Sequence, residues 1–111
     1  MAKLGKDLVA ASAAPLVLSI LTEGESYGYA IIQRVRELSG GHMEWTDGML
    51  YPVLHRLEAQ GSINARWRES EAGRRRKYYR LQPPGRQALK EQKEQWHAVH
   101  NTLAAAWGAT A

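Results

Sequence analysis

The 111-residue sequence predicts a mainly α chain of α+β class, in which three helices, a two-stranded antiparallel hairpin and a long C-terminal helix follow one another. Two changes of pattern carry that reading. Apolar residues recur at helical spacing in three segments up to residue 60, and after Gly61 the period drops to two. From residue 84 helical spacing returns and holds to residue 107. At 44% hydrophobic, the chain can form one domain with its own core.

The stretch SAAPLVLSILT, residues 12–22, is expected as a buried helix, with Ser12 as its cap, Pro15 in the first turn and Leu16, Ile20 and Leu21 at helical spacing. Residues 1–11 are left as an N-terminal arm. A second helix should start at Ser26 and carry Ile31, Val35 and Leu38 on one stripe before Gly40 and Gly41 stop it. HMEWT, residues 42–46, is compatible with a short strand. The third helix is expected from Thr46, as cap, to Gly61, with Leu50, Leu54 and Leu57 inward and Val53 at the edge. Gly48, Tyr51, Pro52, His55 and Arg56 then fall away from the core. Pro52 removes one helical hydrogen bond and should kink the helix, beside a small surface at Gly48 that another backbone can approach.

In the hairpin, Ile63, Ala65 and Trp67 alternate with Asn64, Arg66 and Arg68, and beyond the turn SEAGR the residues Lys77, Tyr79 and Leu81 alternate with Arg76, Tyr78 and Arg80. Trp67, Tyr79 and Leu81 are expected to pack on the helices, leaving Arg66, Arg68, Arg76 and Arg80 outward and Arg74 and Arg75 at the tip. Residues 66–80 hold seven basic and two acidic side chains, against totals of 15 and 11, so the remainder of the chain is close to neutral. Such a patch is an electrostatic footprint for a polyanion, or else a solvated charged face. Three helices followed by a basic hairpin is the layout of a winged helix-turn-helix, whose third helix enters the major groove while the hairpin, the wing, touches phosphates. On that layout the wing arginines would supply affinity without sequence preference, and Tyr78 would donate to a phosphate oxygen or serve as a half-buried aromatic.

The segments YGYAIIQRVREL, DGMLYPVLHRLEAQGSI and RRRKYYRLQPPGRQAL, in this order and spacing over residues 13–90, resemble the PadR family of transcriptional regulators. The resemblance implies a winged-helix DNA-binding domain, a homodimer built by a C-terminal helix, and repression relieved by a small molecule or another signal. By position it places Tyr51 in the Leu-Tyr-Pro of the recognition helix and Arg74, Arg75, Arg76 and Lys77 in the wing. The expected DNA contacts are Thr46, Asp47, Gly48, Met49, Tyr51, Pro52, His55, Arg56, Arg74, Arg75, Arg76, Lys77 and Tyr78. Family members commonly carry Pro-Gly-Thr where this chain has Asp47, Gly48 and Met49. An acid there suits a helix N-terminus but repels phosphate, so base preference does not transfer from relatives.

Leu89, Gln92, Trp96, Val99 and Leu103 are spaced as a heptad-like seam on an otherwise polar helix. The seam is expected to pair with a second copy, its first turns packing on their own domain, and a twofold protein suits a pseudo-palindromic operator in double-stranded DNA. This divides the chain into an arm (1–11), a winged helix-turn-helix (12–82) and a dimerisation helix with a tail (83–111). Trp96 has two readings, dimer packing or the wall of a cavity for a small aromatic or hydrophobic effector. Met43, Trp45 and Trp107 are expected in core or interface. No enzyme, cofactor or metal site is expected: the chain has no cysteine, no Gly-rich phosphate loop and no HExxH, and Glu94, His97 and His100 sit on a surface helix. The apolar run AAPLVLSIL is too short to span a bilayer, so a cytoplasmic location is expected. Two other functions fit the same pattern, a winged-helix module that binds protein and a dimer that sequesters ligands.

Overall fold

Burial selects most of the apolar stripes that the spacing marks, but Leu38, expected on the inner stripe of the second helix, is 50% exposed, and Leu16 of the first is only half-buried. In the computed structural model, which describes residues 3–108, the helices α1 (Lys6–Leu21), α2 (Gly28–Leu38) and α3 (Asp47–Ala59) enclose Val17, Leu18, Ile31, Val35, Leu50, Leu54 and Leu57. Strands β2 (Ile63–Glu69) and β3 (Arg75–Leu81) cover this core with Ile63, Tyr79 and Leu81, and α4 (Pro83–Ala106) adds Leu89. Each such side chain contributes roughly 1.5–3 kcal/mol on burial.

The first helix begins at Lys6, six residues before the expected cap. Ser12 is interior, and its Oγ donates to the Val9 carbonyl at 2.9 Å instead of capping. Residues 6–11 join the helix because Val9 packs on the core and Asp7 suits the first turn. Pro15 therefore lies inside the helix, not in its first turn. From Lys6 onward the expected arm is helical; its residues 1 and 2, and residues 109–111 of the expected tail, lie outside the described residues.

Ser26 is not a cap either. Ser26 and Tyr27 form a short strand, β1, which makes the sheet three-stranded in the order β1-β3-β2, with Ser26 opposite Tyr79 and Tyr27 opposite Tyr78. The edge of β3 would otherwise be unpaired there, and two residues of extended chain suffice to cover it. Residues 42–46 form no strand: the Met43 amide donates to Ser39 Oγ at 2.9 Å, and Trp45 turns inward and is buried.

The hairpin pairs Ile63 with Leu81, Ala65 with Tyr79 and Trp67 with Lys77. Trp67 thus shares the inward face, as the alternation requires, yet it is 57% exposed because the hairpin runs beyond the helices before it turns. Gly73, with φ 78°, makes that turn in a backbone conformation few other residues adopt. Tyr51 also departs from the helical projection: it is half-buried, and its hydroxyl would lie 2.6 Å from a side chain at Gly28. Glycine at 28 is what lets α3 and the start of α2 approach so closely.

Tyr79 is fully buried, and its hydroxyl has no hydrogen-bond partner among the described residues. Burial pushes its pKa up to about 12, with smaller contributions from Tyr51 and Glu58. Tyr79 therefore supports the fold below pH 10, and that support disappears as the pH rises from about 10, where the unfolded chain ionises, to about 12. Tyr79→Phe, which removes the partnerless hydroxyl, should be at least as stable as the parent near pH 7, and its advantage should grow by roughly 2–3 kcal/mol on going to about pH 12. Denaturant titrations at pH 7, 10 and 11.5 test this; parallel losses in both proteins would show that Tyr79 is not the titrating group.

Candidate nucleic-acid interface

Helix α3 starts where Thr46 caps it: Thr46 Oγ1 accepts from the Met49 amide at 3.3 Å. The cap expected at Thr46 is thus formed, so the hydroxyl of this residue, also named among the DNA contacts, is engaged in holding the helix start. Asp47 occupies the first turn, and Gly48, Pro52 and His55 are exposed along the face opposite Leu50, Leu54 and Leu57.

An open groove of about 550 Å³ runs between the first turns of α3 and the wing. Asp47 and Tyr51 stand on one side, Arg74, Arg75, Arg76 and Lys77 on the other, and Tyr27, Gly28 and Tyr29 close it at the start of α2. The structure therefore brings together six residues chosen from the sequence. It adds Tyr27, Gly28, Tyr29 and Trp67, which were not assigned to the site. Their signal was present in the aromatic pair of YGY, but the helical reading assigned that pair to a helix start.

The wing cations divide into two groups. On the outward face, Arg68 lies 4.3 Å over the Tyr78 ring and also pairs with Glu25, while Arg76 lies 4.3 Å over Tyr27. Tyr27 and Tyr78 meet edge to face at 5.4 Å. These stacked contacts tie the wing to β1 and fix its angle to the helices. Tyr78 accordingly serves as a half-buried platform. Arg74 and Arg75 are exposed at the tip, Arg75 lying 5.3 Å over Trp67. Their guanidinium groups can reach an anion with little disturbance of the packing around them.

Two other α3 candidates turn elsewhere. Met49 and Arg56 line a separate cavity against α1. On α4, Leu89 is buried in its own domain, whereas Trp96 is 36%, Val99 50% and Leu103 42% exposed. Gln92 is half-buried, and its amide oxygen has no partner among the described residues. Of the three ambiguous aromatic and sulfur side chains elsewhere, Trp45 is core, Met43 packs against the core and Trp107 is exposed. Among the described residues no group of His, Asp or Glu is placed to hold a metal ion, and no helix is long and apolar enough to cross a membrane.

A family model of PadR-like transcriptional regulators matches residues 17–91. A solved transcriptional regulator from Clostridium thermocellum shares the fold with a TM-score of 0.83 at 29% identity, over 92% of this chain and 96% of that one. A PadR family transcriptional regulator from Eggerthella lenta gives a TM-score of 0.76 at 32% identity, over 91% and 86% of the two chains. A transcriptional regulator of Mycobacterium tuberculosis is 40% identical over 75 residues, covering 68% of this chain and 66% of that protein. The Escherichia coli transcriptional regulator YqjI is 32% identical over 90 residues, 81% of this chain; the match spans only 42% of that protein. With three helices, a basic wing and a family match over residues 17–91, this chain is a winged-helix member of the PadR-like family of transcriptional regulators, and so a regulator of transcription and not an enzyme.

Proposed function

We propose that the chain represses transcription as a homodimer that reads a pseudo-palindromic operator. The observation that supports it most is the groove that sets the start of α3 beside Arg74, Arg75, Arg76 and Lys77. In this reading Gly48, Pro52 and His55 meet base edges, Asp47 and Tyr51 border the wing groove, and the wing tip neutralises flanking phosphates. The exposed Trp96, Val99 and Leu103 on the long α4 support pairing with the same helix of a second copy, with residues 83 onward serving dimerisation. Trp96, within that seam, is the candidate contact for a hydrophobic effector that changes the spacing of the two reading helices.

The test is a binding titration against the duplex upstream of the protein's own gene and a scrambled duplex of equal length, at several salt concentrations. The expected result is a preference for the native duplex that survives rising salt. Equal, salt-fragile binding to both would reduce the site to a basic patch. Val99→Glu with Leu103→Glu should turn a dimer into a monomer in sedimentation and weaken operator binding. A dimer that persists would remove α4 as its seam.

A further inference from the structure

We infer that Asp47 determines one base of the operator: its carboxylate accepts a hydrogen bond from the amino group of a cytosine in the major groove. The inference rests on the operator reading above and deepens it by naming a base. Asp47 is exposed in the first turn of α3, and among the described residues it is the only acid lining the groove between α3 and the wing. Arg74, Arg75, Arg76 and Lys77 line the same groove. None of them neutralises the carboxylate, for Asp47 joins no ion pair among the described residues.

The fold does not need this carboxylate as a cap. Thr46 Oγ1 already accepts from the Met49 amide, and the Thr46 carbonyl accepts from the amide of Leu50 at 3.0 Å. A helix start favours an acid, yet that preference is met anywhere in the first turn and does not call for one facing a wing of four cations. The approach to Asp47 is open as well. Gly48, the next residue, has no side chain, and a methyl group added there would meet only Thr46 Oγ1, at 3.7 Å. A base edge can therefore come close to the start of α3, the part of a recognition helix that meets base edges.

Charge then selects what the carboxylate can meet. The wing cations draw in the phosphate backbone, and an unpaired carboxylate beside them repels it. That repulsion acts on every sequence alike and is offset only where the carboxylate finds a donor. In the major groove the donors are the amino groups of adenine and cytosine. Adenine sets the acceptor N7 beside its amino group, which opposes a carboxylate, a group made only of acceptors. Cytosine presents its amino group with no acceptor of its own alongside, and so fits. Asp47 thus acts in two ways, weakening binding to all duplexes and restoring it at one base.

Selection from a library of duplexes with a randomised centre, with sequencing of the bound fraction, tests this for the full chain, Asp47→Asn and Asp47→Ala. The parent should enrich a twofold site with a cytosine at one fixed position of each half-site, and replacing that base should weaken binding about tenfold to a hundredfold. In Asp47→Asn the same position should become adenine, because an amide can donate to N7 while accepting from the amino group. In Asp47→Ala it should admit any base, and a scrambled duplex should bind several-fold more tightly than it does to the parent. An acid that only steadies the helix would lower the melting temperature of both variants and leave the selected site unchanged. That result would overturn the inference while the operator reading stood, and so would a parent cytosine that persists in Asp47→Ala. A parent that enriches no site would overturn the operator reading itself, and this inference with it.

Discussion

Gly85→Ala should lower the thermal midpoint by about 5–20 °C, although alanine is the better helix former. A methyl group at this position would collide with the carbonyl oxygen of Ser62 and meet Leu81 Cδ1 at 2.8 Å. The leucine can rotate away. The carbonyl is backbone, and it accepts from the amide of Gln82, the residue that precedes α4, at 3.0 Å. Making room therefore disturbs the junction where α4 is fastened to the turn after α3. Overpacking costs about 1–3 kcal/mol and the lost hydrogen bond about 1. Alanine returns up to about 1 kcal/mol of helix propensity, which leaves a net loss of roughly 1–3 kcal/mol. At about 4–8 °C per kcal/mol for a chain near this size, the stated shift follows. Gly48→Ala is the control: a methyl group there meets only Thr46 Oγ1, at 3.7 Å, so the same substitution in α3 should stabilise by about 0.5–1 kcal/mol. Melts at matched protein concentration separate the two cases. A Gly85→Ala midpoint within 2–3 °C of the parent, under about 1 kcal/mol, would mean that α4 is not held by this contact.

The second large effect is expected at the wing tip. Arg74→Ala combined with Arg75→Ala should weaken binding to every duplex alike. Each exposed arginine–phosphate pair contributes roughly 1 kcal/mol, so taking both arginines from both subunits of a dimer corresponds to a fall on the order of a thousandfold. The salt dependence should flatten at the same time, by about 0.9 in log–log slope for each arginine removed, about 3.6 for the dimer. Arg76→Ala should behave differently. Its guanidinium stacks on Tyr27, so its loss loosens the wing and should disturb stability along with binding, with a smaller change in slope. His55→Ala should instead alter the preference among duplexes and leave the slope nearly as it was. Equal slopes for the tip and the Arg76 variants would contradict this division of labour.

The division was not visible before folding, because alternation places Arg68 and Arg76 on one face without showing what shares that face. Their partners, Tyr27 and Glu25, lie some forty to fifty residues away in sequence. β1 escaped notice for the same reason: two residues carry no periodicity, and Ser26 in front of an apolar run reads equally well as a helix cap. Trp67 illustrates the opposite case, in which local pattern was right about the face and uninformative about depth. Whether a residue on the inward face is covered depends on how far the helices reach beneath the hairpin.

Local sequence, then, was sufficient for the order of the principal elements, the inner stripe of α3 and that of α2 except for the exposed Leu38, the pairing face of the hairpin and the concentration of charge at its tip. These depend on side-chain period and on turn residues, which act over a few positions. Three features required the folded chain: the start of α1 at Lys6, the close approaches at Gly28 and Gly85, and the placing of Asp47 and Tyr51 beside the wing while Met49 and Arg56 face α1. Each is settled by which distant surface a residue meets, and that is a property of packing, to which a single segment is blind.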